Sequence, residues 1–100
     1  MKLITSKVEN WFIERNLHSL DGRGQLEKLN EEVGELIQAY KDEDRDEEID
    51  AVGDIMVVLI GYCMQRNLSL QLCLESAYEE IKDRKGIVNE QGIFIKEADL

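Results

Sequence analysis

Gln25-Leu-Glu-Lys28-Leu-Asn-Glu-Glu32-Val-Gly-Glu35-Leu-Ile-Gln-Ala-Tyr40 is the stretch that decides how this chain folds. Leu26, Leu29, Val33, Leu36, Ile37 and Tyr40 recur at the three- and four-residue intervals of an amphipathic helix, with no proline to interrupt them. On a wheel of about 100° per residue, Gln25, Lys28, Glu32, Glu35 and Ala39 fall in one sector beside that apolar stripe, whereas Glu31 points away. The helix therefore carries two acids, Glu32 and Glu35, at the boundary of its own core face.

The next helical segment, Ile49 to Met64, presents a matching pair. Glu47, Asp50, Asp54, Val57 and Gly61 project to one side of it, with Glu48 turned elsewhere. Asp54 is followed directly by Ile-Met-Val-Val-Leu-Ile, a setting in which an unpaired charge is strongly disfavoured. Any single Glu on a helix is ordinarily a solvated residue paired at i,i+4, as Glu32 could be with Lys28, and a buried Asp can pair with Arg or Lys. Four inward-facing acids on neighbouring helices repel one another unless a cation lies among them. Hard oxygen ligands of this kind suit Mg²⁺, with Mn²⁺ as a substitute.

Outward from these two helices the reading is all-α. Ile4, Val8, Trp11 and Phe12 share a helical face, and Ser6 with Glu9 offers a capping box, so a first helix is expected to reach about Leu17. Trp11 and Phe12 are at core spacing. Ser19-Leu-Asp-Gly-Arg-Gly24 reads as a loop, His18 just before it as a loop residue, and the charged run Lys41 to Asp46 as another loop. The second half of the third helix is apolar on every side, and 100 residues supply little cover for it, so that half is expected to pack against another subunit. Gly53 and Gly61 weaken that helix by about 1 kcal/mol each relative to Ala, which points to a close approach at both. Ser69 can cap a fourth helix bearing Leu70, Cys73, Leu74, Ala77, Tyr78 and Ile81, with Gly86 as its stop. Two β-prone runs between Ile87 and Ile95, around a Gly-containing loop, form a small C-terminal β-hairpin. The expected architecture is a single domain over residues 1–100, a four-helix bundle completed by oligomerisation as a homodimer or homotetramer.

Twelve basic against 22 acidic residues, a formal charge of −10, argue against a nucleic-acid partner, because phosphate backbones are held by clustered Lys and Arg. Nucleotides arriving with a metal remain open. Cys63 and Cys73 form no CxxC pair and read as reduced core residues of a cytoplasmic protein. No signal peptide is expected, and the apolar run from Ile55 to Met64 falls well short of the roughly 20 residues that cross a bilayer. Asp42-Glu-Asp44-Arg-Asp46 opens like a calcium loop, but Glu47 stands where that loop needs glycine and Gly53 where it needs a bidentate glutamate.

The pattern from Gln25 to Leu36, followed by Asp50-Ala-Val-Gly-Asp54-Ile-Met-Val-Val-Leu, resembles the MazG-like nucleotide pyrophosphohydrolases of the all-α NTP pyrophosphatase superfamily. Ala77-Tyr-Glu-Glu-Ile-Lys82-Asp-Arg84-Lys85-Gly86 and Gly92-Ile-Phe-Ile-Lys96-Glu are similar to the compact single-domain forms often encoded by bacteriophages, so the likeness runs from about Gln25 to Glu97. The resemblance implies a Glu-x-x-Glu on one helix and a Glu-x-x-Asp on the next, all binding Mg²⁺. Glu32, Glu35 and Asp54 carry over directly. The position three before Asp54 is Ala51, so the fourth ligand is expected to be Asp50, although Glu47 with Asp50 also forms a Glu-x-x-Asp.

The implied reaction is hydrolysis of a nucleoside triphosphate between its α- and β-phosphates, giving the monophosphate and pyrophosphate, in a house-cleaning role. Glu35 is the candidate to orient or deprotonate the attacking water. Lys82, Arg84 and Lys85 at the end of the fourth helix, with Gln25 and Lys28 on the acidic face, are candidates to contact the substrate. A specific dUTP or phosphoribosyl-ATP pyrophosphatase and a non-catalytic helical adaptor are the alternatives.

Overall fold

The computed structural model describes residues 2–100, with side chains from Leu3 onward. The chain forms four helices, α1 (Lys2–Glu14), α2 (Arg23–Lys41), α3 (Arg45–Gln65) and α4 (Leu70–Ile81). They are followed by a two-stranded antiparallel hairpin, β1 (Gly86–Val88) with β2 (Phe94–Lys96), and a 3₁₀ turn over Glu97–Asp99. The all-α expectation with its small hairpin is met. Residues up to Leu70 make one compact unit and residues 71–100 a second.

In the first unit α2 packs along α3, and α1 packs on α3 as well. The core lies among these three helices and consists of Phe12, Ala39, Ala51, Val58, Ile60 and Cys63. In the apolar second half of α3, Val58, Ile60 and Cys63 are buried, whereas Ile55, Met56, Val57, Leu59 and Met64 stay half-buried. Its acidic first half is the more open, with Ile49 and Val52 exposed. Of the two glycines expected at close approaches, Gly61 carries the ring of Phe12 directly on its backbone, whereas a Cβ on Gly53 would meet nothing. Trp11 turns outward, edge-on to Phe12, and the Arg15 guanidinium stacks 4.2 Å above its ring.

The helix ends explain where sequence boundaries shift. α1 is already helical at Lys2, so Ser6 and Glu9 lie inside it and form no starting cap. α1, α2 and α3 all end in the same way. A residue at positive φ (Asn16, Glu43, Asn67) donates its N–H three residues back, and the next N–H reaches five residues back: Leu17 to Phe12 O, Asp44 to Ala39 O, Leu68 to Cys63 O. This folds Asp42–Asp44 into a turn so tight that Arg45 and Asp46, read from sequence as loop, already belong to α3. Asp44 caps it, accepting from the Glu47 N–H at 3.2 Å, and Asp46, Glu47 and Glu48 set negative charge on its positive end. The calcium-like run is therefore a helix connection.

The second unit holds α4 and the hairpin. α4 stops at Ile81, well before Gly86; the Lys82 N–H closes its last turn on the Tyr78 carbonyl, and Arg84 and Lys85 lie beyond it. Cys73 on α4 is exposed, not a core residue, while Cys63 is buried; neither is in a disulfide. Gly86 faces Lys96 in the hairpin register, and a Cβ there would collide with the Ile95 carbonyl oxygen and the Phe94 ring. Asn89 organises the hairpin loop, its Oδ1 accepting from the Gln91 and Ile93 amides at 3.0 and 2.9 Å. No helix among the described residues is long and apolar enough to cross a membrane.

Candidate active site

α2 divides its apolar residues between two faces. Leu29, Leu36 and Ala39 turn inward to α3, whereas Leu26, Val33, Ile37 and Tyr40 stay exposed. The one acid on the inward stripe is Glu32, spaced three from Leu29 and four from Leu36, and its side chain is only 4 % exposed. It is the single charged residue that the fold buries among those described. One turn earlier, Lys28 brings its ammonium to 3.3 Å from Glu32 Oε1 and 3.5 Å from Glu31 Oε2. Its pKa is raised above the ordinary lysine value, first by the hydrogen bond to Glu32, then by the charge of Glu32 and that of Glu31. The other carboxylate oxygen, Glu32 Oε2, is buried and without a hydrogen-bond partner.

Glu35, Asp50 and Asp54 are exposed. For Asp54 this corrects the expectation of an embedded carboxylate. Ala51, Ile55 and Val58 form the inward stripe of α3, and Asp54 stands at its edge, where the helix turns the side chain to solvent. Gln25 is half-buried on the inward side of α2. Among the described residues no three His, Cys, Asp or Glu side chains come together closely enough to hold a metal ion, so the four predicted ligands are not gathered in this chain alone. Their chemistry nonetheless fits Mg²⁺. The donors are all carboxylate oxygens, and the orphaned Glu32 Oε2 is an acceptor with no protein partner to satisfy it.

Glu31, read as an ordinary surface acid, shares Lys28 with Glu32; the signal for it in sequence is the lysine three residues earlier. His18 lies in the α1–α2 connection with its Nδ1 buried and unpartnered, and that connection is tied to α3 by Gln65 Nε2 donating to the Leu17 carbonyl at 2.8 Å. In the second unit Lys82 pairs with Glu79 at 2.7 Å. Arg84 lines an open hollow of about 420 Å³ with Phe94, Ile95, Lys96 and Asp99. A hollow of about 410 Å³ at the α2–α3 connection, lined by residues between Ala39 and Glu48, contains none of the four predicted ligands.

The profile of the phosphoribosyl-ATP pyrophosphohydrolase family matches residues 2–85, which takes in all four helices and both acidic pairs. The chain belongs to this family. It is thereby a member of the MazG-like all-α NTP pyrophosphatase superfamily that the stretch from about Gln25 to Glu97 resembles, and the family's reaction class is pyrophosphohydrolysis of a nucleotide, the hydrolysis of an acid anhydride. No curated protein matches the chain. No solved structure does either. The family match ends at Lys85, just before the hairpin.

Proposed function

We propose that the chain is a Mg²⁺-dependent nucleoside triphosphate pyrophosphohydrolase, releasing pyrophosphate and a nucleoside monophosphate, with Mn²⁺ able to replace Mg²⁺. The observation that carries this reading is Glu32, a carboxylate buried on the face of α2 that packs on α3, with one oxygen unpartnered. A fold retains such a group where a cation completes it. Glu32, Glu35, Asp50 and Asp54 are the residues to hold the metal. When bound, the metal supplies positive charge against the phosphate oxygens and lowers the pKa of water at the site.

The remaining work falls to side chains of this chain. Glu35, exposed one turn beyond Glu32, is free to accept a proton from water or to orient it. Lys28 and Gln25 occupy the same edge of α2 and are suited to phosphate or sugar oxygens. Lys82, Arg84 and Lys85, in the segment that follows α4, are the basic residues proposed for the phosphates, although Lys82 also closes the last turn of α4 through its N–H to the Tyr78 carbonyl.

A homodimer or homotetramer fits the open faces of the first unit. Leu26, Val33, Ile37 and Tyr40 on α2 and Ile49 and Val52 on α3 are exposed, and among the described residues nothing outside the local helix turns lies within 4 Å of a Cβ built on Gly34 or Gly53, so a second copy can approach both backbones closely.

Phosphoribosyl-ATP is the second substrate reading, favoured by the family match. One experiment separates the two. The protein is incubated with Mg²⁺ and a panel of canonical and modified NTPs, dUTP and phosphoribosyl-ATP, and the products are identified. Pyrophosphate with NMP from several NTPs supports the broad reading, and turnover of phosphoribosyl-ATP alone supports the narrow one. Inorganic phosphate with NDP, or no turnover at all, refutes both.

A further inference from the structure

We infer that Lys28 is a built-in counter-cation for Glu32, which a divalent ion must displace before the site is loaded; the inference rests on the metal-dependent reading above. Glu32 is 4 % exposed and Lys28 is 53 % exposed, so an ammonium on a flexible stem reaches from solvent to a buried carboxylate. It satisfies one oxygen only. Oε1 is 3.3 Å from Nζ, and Oε2 is left buried with no partner.

Ordinary helix-surface pairing does not account for this arrangement. With the lysine N-terminal to the glutamate, i,i+4 pairing is the weaker of the two orders. The burial of Glu32 does account for it, because a desolvated carboxylate attracts whatever cation can reach it. A divalent ion, with twice the charge, would compensate that carboxylate more fully than one ammonium does.

Lys28 has a second place to go. Glu31 Oε2 lies 3.5 Å from the same Nζ and its side chain is exposed, so a displaced ammonium stays tethered beside the site by Glu31. The same positive charge then serves twice, holding Glu32 before the metal arrives and facing phosphate oxygens afterwards. The consequence is a site that trades metal affinity for a protein that stays folded without metal.

The test is a Mn²⁺ titration without nucleotide, by calorimetry and by the electron paramagnetic resonance of free Mn²⁺, on wild type, Lys28→Met and Lys28→Arg. Lys28→Met should bind Mn²⁺ about three- to tenfold more tightly than wild type and melt at a lower temperature when metal-free, while Lys28→Arg keeps the wild-type affinity. Unchanged or weaker Mn²⁺ binding by Lys28→Met, in a wild-type protein that binds Mn²⁺ and releases pyrophosphate, overturns the counter-cation role and leaves the reaction standing. A wild-type protein that neither binds Mn²⁺ nor releases pyrophosphate overturns both. Should Lys28→Met not fold without metal, wild type carrying ¹³C-methylated lysines gives the deciding readout. The Lys28 resonance must shift on Mg²⁺ addition, and a stationary resonance overturns the inference.

Discussion

The ring of Phe12 rests on the backbone of Gly61, in a position where any Cβ would collide with it. Phe12 is 2 % exposed and is the largest fully buried side chain among the described residues, so this contact fixes how closely α1 approaches α3. Gly61→Ala gains helix propensity of about 1 kcal/mol but must push the ring away, and overpacking of a core costs about 1–3 kcal/mol. A net loss in urea-unfolding free energy is expected. Phe12→Leu introduced with it should recover part of that loss, as coupling between touching residues requires; simple additivity of the two losses would show that the contact is not what matters.

Glu43 sits at φ 53° in the turn that ends α2, a left-handed conformation costly for a residue with a Cβ. Glu43→Gly should stabilise the protein by about 0.5–1 kcal/mol, the left-handed penalty less the extra flexibility of glycine in the unfolded chain. The same change at Asn67 (φ 56°) should gain less, since Asn tolerates this region better. Thermal or urea unfolding of both variants checks the ranking.

The helices themselves were legible in sequence because their periods are strong, and Phe12 and Gly61 could both be marked in advance. Their ends were not. Three of them close on Asn or Glu at positive φ, where sequence offers no glycine or proline to mark the stop, so Arg45 and Asp46 passed for loop. The acidic pairs were found by spacing, but their burial was not, because one residue of phase decides it. Glu32 falls on the Leu29/Leu36 stripe, and Asp54 falls just off the Ala51/Ile55/Val58 stripe. An apolar flank in sequence describes the neighbours along the chain; on a helix those neighbours point elsewhere.

The outer faces of α2 and α3 yield a prediction for assembly. Ile37 is 50 % exposed and Val52 is 49 % exposed, so a charge at either site has little to disrupt within the folded chain. If a second copy covers them, Ile37→Glu and Val52→Glu should convert a dimer or tetramer to monomer in light-scattering chromatography while leaving the circular dichroism unchanged. A wild-type chain that runs as a monomer would remove the oligomeric reading.

Glu32→Gln and Asp54→Asn separate a metal site from a merely acidic surface. The amide at position 32 keeps the shape of the carboxylate and removes a buried charge whose Oε2 lacks a partner, so the metal-free melting temperature should equal or exceed that of wild type. Mg²⁺ at about 100 times its dissociation constant should stabilise the wild type by about 2.7 kcal/mol, since a ligand that binds only the folded state shifts unfolding by mass action. Both variants should lose most of that gain, together with at least about 100-fold of the pyrophosphate release. Removing the metal from wild type with a chelator should reproduce the loss and readdition should reverse it. A helical adaptor behaves otherwise: its melting temperature does not respond to Mg²⁺, and Asp54→Asn, an exposed substitution, leaves it where it was.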